Sequence, residues 1–146
     1  MIQDDPYNLR RFLSAQEEDY QLALEELRRG QKESHWIWYI FPQVMGLGTS
    51  SMAQDYAVRS REEAVAYLTH PILGERLKEC CEALLIHEGD SIEDIMGFPD
   101  DMKLKSSMTL FSSVAYEPAI FDRVLDVFYD GNRDKKTINF LASRRK

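Results

Sequence analysis

Cysteine is nearly absent. Cys80 and Cys81 are the only two in 146 residues, and they are adjacent. Neighbouring cysteines rarely bridge, and no second pair exists to build a disulfide framework or a zinc site. The expectation is a reducing, cytoplasmic setting. Both lie on an apolar helical pattern and read as small core residues. The three histidines, His35, His70 and His87, have neither HxH nor HxxxH spacing, so no histidine-rich metal site is expected. No window approaches about 18 apolar residues, so no membrane span is expected. The opening MIQDDPYNLRRF lacks the apolar stretch of a signal peptide. GxSxG and cysteine–histidine signatures are missing. Positive charge is scarce: 18 Lys and Arg against 25 Asp and Glu give a net charge of −7. That balance argues against general affinity for nucleic acid. The terminal run Arg144–Arg145–Lys146 reads as a frayed helix end rather than a nucleic-acid arm.

What is present reads as capped amphipathic helices. Asp4, Asp5 and Pro6 are expected to open a first helix, carried from Tyr7 to Arg29 by Leu9, Phe12, Leu13, Tyr20, Leu24 and Leu27 and closed by Gly30. S-R-E-E at Ser60 and S-I-E-D at Ser91 are capping boxes. Pro71, Pro99 and Pro118 restart helices, and Asp134 is placed to cap the last one. Met102, Leu104, Met108 and Phe111 mark the expected core face of one helix, and Ile72, Leu73 and Leu77 that of another. The acidic runs Glu17–Glu18–Asp19 and Glu25–Glu26 look like solvated faces. No stretch alternates long enough to demand a sheet, although Ile37–Phe41 has the composition of a short strand. The expected fold is all-α: a single domain over residues 1–146, a compact bundle of six to eight helices with one irregular aromatic and glycine-rich segment between Ser34 and Tyr56.

Two segments depart from that pattern. The first, SHWIWYIFPQVMGLGTSS, holds both tryptophans of the chain. Aromatics at this density serve either as core or as a stacking wall for a flat ligand, formed by Trp36, Trp38 and Tyr39. His35 is a satisfied core histidine or an acid–base group titrating near neutrality. Gly46, Gly48 and Ser50 either build a plain loop with an N-cap serine or offer amides and a hydroxyl to an anion. There is no Walker lysine, and the third glycine of a dinucleotide fingerprint is missing. The second segment, Lys103–Phe111 (KLKSSMTLF), places Ser106, Ser107 and Thr109 where hydroxyls compete with the backbone for hydrogen bonds. They serve close helix packing or line a polar site in which Lys103 reads a phosphate or carboxylate.

These residues carry a resemblance. D-P-Y-N-L-R-R-F from Asp5, A-Q at Ala15, S-H-W-I-W-Y-I-F-P-Q from Ser34, G-L-G from Gly46, H-P-I-L-G-E-R-L from His70 and D-M-K-L-K-S-S-M-T-L-F from Asp101 together resemble the domain of unknown function 1810 family. That family consists of single-domain bacterial proteins, sometimes labelled calpastatin. The resemblance implies a helical fold and carries no activity. Calpain inhibition does not fit this composition, because a true calpastatin is a long disordered chain.

Two functional readings follow. In one, His35 and Lys103 supply charge or proton transfer. Trp36, Trp38 and Tyr39 form a wall, and Gly46, Gly48, Ser50, Ser106 and Ser107 hold a nucleotide or ADP-ribose-like small molecule, which a hydrolase would cleave. In the other, the protein is a non-enzymatic adaptor or regulatory subunit and the aromatic segment is core. An open pocket joining His35 to Lys103 favours the first; full burial of both tryptophans favours the second. No metal site is expected, and the cofactor stays open. Monomer and small homo-oligomer stay open.

Overall fold

The computed structural model describes residues 4–143; the basic run at Arg144 lies outside them. Among the described residues there are nine helices and no strand. They are α1 (Arg10–Arg29), α2 (Ile37–Ile40), α3 (Ser51–Asp55), α4 (Arg61–Thr69), α5 (Leu73–Leu85), α6 (Ile92–Met96), α7 (Asp100–Val114), α8 (Ala119–Tyr129) and α9 (Lys135–Ser143). The count exceeds the expected six to eight because the irregular segment contains two short helices, α2 and α3. Ile37–Ile40 is thus a helical turn rather than a strand.

Helix ends follow local chemistry. Ser60 Oγ accepts from Glu63 N at 3.0 Å and Ser91 Oγ from Asp94 N at 3.4 Å, so both capping boxes form their N-cap bond. Gly30 ends α1 in the left-handed region at φ 79°. The first helix starts later than expected. Asp5 Oδ1 and Oδ2 accept from Leu9 N and Arg10 N, so Asp5 caps α1 from across a turn that contains Pro6. Pro71 likewise lies in a turn, where His70 Nδ1 faces the amides of Ile72 and Leu73.

α7 is the central helix. It contacts α2, α4, α6, α8 and α9. Leu104, Ser107, Met108, Thr109, Leu110 and Phe111 are all buried, which is most of its circumference. Met102 departs from the expected core face and is exposed, as is Ile72 before α5. The small hydroxyls of α7 permit close neighbours, and most are satisfied within the helix: Ser106 Oγ donates to Met102 O and Thr109 Oγ1 to Lys105 O. Cys80 and Cys81 are buried, and burial pushes the Cys80 thiol up to about 12. Gly74 marks the crossing of α4 and α5, where an added Cβ would lie 2.1 Å from Leu68 O.

The irregular segment is held by buried polar groups. Glu26, expected on a solvated face, is 1% exposed. Its carboxylate accepts from Glu33 N, Ser34 N, Ser34 Oγ and Trp36 Nε1, at 2.6–3.0 Å. Burial raises its pKa, but these four donors outweigh that and hold it near 2. Gln16, also buried, donates from Nε2 to Tyr39 O at 2.7 Å. At the far end, Val44 and Val58 form a parallel bridge, with Met45 N donating to Val58 O and Val58 N to Gln43 O. The chain from 45 to 57 is therefore an excursion whose two ends are pinned together.

Two measurements check this account. Gly74→Ala forces backbone apart and lowers stability by about 3 kcal/mol, read as a reduced urea midpoint at unchanged slope. For Glu26 the folded pKa lies near 2, below the ordinary 4.5. Its stabilisation is complete above pH 4.5 and is lost as pH falls towards 2, roughly 3 kcal/mol in all. The stability difference between wild type and Glu26→Gln shrinks across that window; a difference independent of pH shows that Glu26 is not ionised in the fold.

Candidate functional site

The structure separates the residues singled out in the sequence. Trp36 is fully buried with its indole N–H on Glu26, and Tyr39 is 6% exposed with its hydroxyl on Asp19. Burial and the Asp19 hydrogen bond both raise the Tyr39 pKa. These two are core residues, not a wall. His35 is exposed, its carbonyl accepts from Tyr39 Oη at 3.3 Å, and it does not border the cleft described below. Ser50 caps α3, its Oγ accepting from Ala53 N at 3.1 Å. With only five residues and its own cap, α3 offers no anion site. Gly46 sits at φ 93° in an exposed turn, a conformation that favours glycine. At Gly48 an added Cβ would come 2.6 Å from Ala53 Cβ, so this glycine permits the return of the chain onto α3. Ser107 is fully buried, and among the described residues its Oγ has no partner.

Lys103, Ser106 and Gly48 do come together. They border a cleft of about 440 Å³ between the 43–48 loop and the first turns of α7 and α9. Gln43 and Leu47 contribute from the loop, Pro99 and Met102 from the start of α7, and Asp134, Lys135 and Lys136 from the start of α9. Thr109 positions the last group: its Oγ1 accepts from Asp134 N at 2.9 Å and so fixes α9 on α7. Asp134 Oδ2 in turn accepts from Thr137 N and Thr137 Oγ1. Three lysines against one aspartate line this cleft, in a protein of net charge −7. Lys135 and Lys136 form no ion pair with a described residue. Lys103 Nζ stands 3.8 Å from Asp100 Oδ1 and 5.2 Å from the centre of the Trp38 ring. Asp100 is shared, because Lys32 Nζ holds its other oxygen at 2.6 Å.

Sequence reading missed Lys135 and Lys136, yet their signal was present. The first turn of a helix favours acids and disfavours cations. Two lysines directly after the cap residue Asp134 oppose that preference. Gln43, Leu47, Pro99 and Met102 carried no such mark.

A second depression, of about 310 Å³, is lined by Tyr7, Asn8, Arg11, Asp55, Arg59 and Glu63 among others. It reads as structural. Arg11 places Nε on Asp55 O, Nη1 on Tyr7 O and Asn8 O, and Nη2 on Ala57 O and Glu63 Oε2. Those five bonds engage all its donors and leave none for a ligand. Among the described residues no group of three or more His, Cys, Asp or Glu is arranged to hold a metal ion, and no helix is long and apolar enough to cross a membrane.

No functionally curated protein matches the chain. Among solved structures, the crystal structure of the conserved hypothetical protein Rv1873 from Mycobacterium tuberculosis is similar, with 47% identity and a TM-score of 0.93 over 94% of this chain and 99% of that one. The profile described as "Protein of unknown function (DUF1810)" matches residues 6–141. Both unusual segments fall within that match, and the chain belongs to the DUF1810 family.

Proposed function

We propose that the protein binds a small anionic molecule of nucleotide or ADP-ribose type in the cleft between the 43–48 loop, α7 and α9. The observation that carries this reading is the convergence of Lys103, Lys135 and Lys136 on one cleft of an acidic protein. Lys135 and Lys136 have no ion-pair partner among the described residues and Lys103 only a long one to Asp100, so their like charges repel and a bound anion relieves that cost. The volume of about 440 Å³ suits such a ligand, within the usual range of roughly 300–1,000 Å³. Leu47, Pro99 and Met102 add apolar surface for a sugar or ring. Trp38 is not a stacking platform in this arrangement, since Lys103 lies over its ring.

Binding is favoured over hydrolysis. Asp134 is the only carboxylate among the residues lining the cleft, and Thr137 engages it. No acid–base pair is at hand there. The two markers that separated the ligand-binding and adaptor readings give a divided answer: Lys103 opens on a cleft without His35, and only one of the two tryptophans is fully buried.

Calorimetric titration of ADP and ADP-ribose at low salt tests the proposal. Wild type binds. Lys103→Ala and the pair Lys135→Ala, Lys136→Ala each weaken binding about tenfold or more, as expected for charge-assisted hydrogen bonds of roughly 1.5–3 kcal/mol. Added salt weakens wild-type binding as the exposed lysines are screened. Absence of binding at millimolar ligand, or equal binding by all three proteins, rejects the cleft as an anion site.

A further inference from the structure

The cleft has a second, smaller feature beside it. Trp38, Gln43, Val44, Gly48, Ala53 and Tyr56 enclose a recess of about 10 Å³, which shares Gln43 and Gly48 with the lysine-lined cleft. That volume is about one water-sized sphere. The Trp38 indole N–H is buried, and no described residue accepts from it. Trp36, two residues earlier, shows the contrast: its N–H has the Glu26 carboxylate at 2.9 Å. The side-chain amide of Gln43 makes no hydrogen bond to a described residue either. Trp38 and Gln43, whose side-chain polar groups have no hydrogen-bond partner among the described residues, therefore both line one small recess, which has no ionised side chain among its lining residues.

We propose that Trp38 and Gln43 are the specificity element of the cleft, reading an uncharged carbonyl oxygen of the ligand whose charge the lysines hold. This inference rests on the anion-binding reading above. Its chemistry follows from the lining. A buried N–H left without an acceptor is unfavourable, and one oxygen in the recess satisfies it. No cation lines the recess itself, Lys103 lying instead over the Trp38 ring 5.2 Å from its centre, so the recess suits a neutral acceptor better than a second phosphate oxygen. Lys103, Lys135 and Lys136 meet the anionic part in the adjoining cleft. The ligand class is then an anion that also carries an amide-like carbonyl, such as a nucleotide with an oxo-substituted base. A site that hydrogen-bonds a ligand group discriminates strongly against an analogue lacking it.

Nucleoside monophosphates separate the possibilities, because GMP and UMP carry ring carbonyls and AMP does not, while all three share ribose and phosphate. GMP or UMP binds wild type at least about tenfold more tightly than AMP, and Gln43→Leu and Trp38→Phe bring the three within about threefold. With two tryptophans in the chain, ¹⁵N-indole labelling gives two N–H signals. The Trp38 signal moves on addition of GMP or UMP, and the Trp36 signal stays. Equal affinity for all three nucleotides with an unmoved Trp38 signal overturns the proposal and leaves anion binding standing. No binding of any nucleotide overturns both. Gln43 is only partly buried, so its variant keeps the test decisive if Trp38→Phe fails to fold.

Discussion

A buried carboxylate organises this fold. Glu26, near the end of α1, gathers the amides of residues 33 and 34, the Ser34 hydroxyl and the Trp36 indole. A charge in an apolar interior is costly unless hydrogen bonds satisfy it, and these four bonds do so. The consequence extends along the chain. With Trp36 fixed on Glu26, α2 begins at Ile37 and directs Tyr39 inward and Trp38 towards α7. The same segment binds Lys32, whose N–H donates to Ile95 O and whose ammonium meets Ser34 O and Asp100. The C-terminus of α1 is thereby tied to α6 and to the start of α7.

Two further buried polar groups repeat the device. Gln16 holds the middle of the aromatic segment through Tyr39 O and is itself held by Arg76. Glu63, 3% exposed, accepts from Arg59 N and pairs with Arg11 at 2.6 Å, which fastens the far end of the segment to α1. An irregular stretch has few backbone ladders of its own, so side chains from regular helices must satisfy its amides and carbonyls. That requirement explains why polar residues sit inside α1 and α4 where the apolar pattern alone would not put them.

The same fact sets the limit of what the sequence disclosed. Serine caps, terminal glycines and the all-α class were legible, because each depends on a few neighbouring residues. Helix spacing also located most of the core. Burial of Glu26 was not legible: in E-E-L-R-R the residue has the same neighbours as a solvated acid, and only the distant Trp36 and Ser34 distinguish it. The exposure of Met102 escaped for a related reason. Periodicity places it on the apolar side of α7, but the first turn of that helix borders the cleft and not the core. In the candidate site, Lys103 and Ser106 stood out by composition, whereas Lys135 and Lys136 become visible only when the helix dipole is weighed against them.

The anchor and the cleft meet at Asp100. Its two oxygens face different lysines: Lys32, nearly buried and at 2.6 Å, and Lys103, more exposed and at 3.8 Å. The first pair is short and well shielded, the second long and open to water, so the two bonds to Asp100 are unequal. If Lys103 turns from Asp100 to a ligand, Asp100 keeps Lys32 as its counter-charge. No partly buried carboxylate is stranded, and the penalty that usually follows the breaking of an ion pair is avoided. Lys32 in turn lies over the Trp36 ring, 4.7 Å from its centre, and Trp36 is held by Glu26. The carboxylate that shapes the aromatic segment therefore also positions, through Trp36, the ammonium that pairs with Asp100.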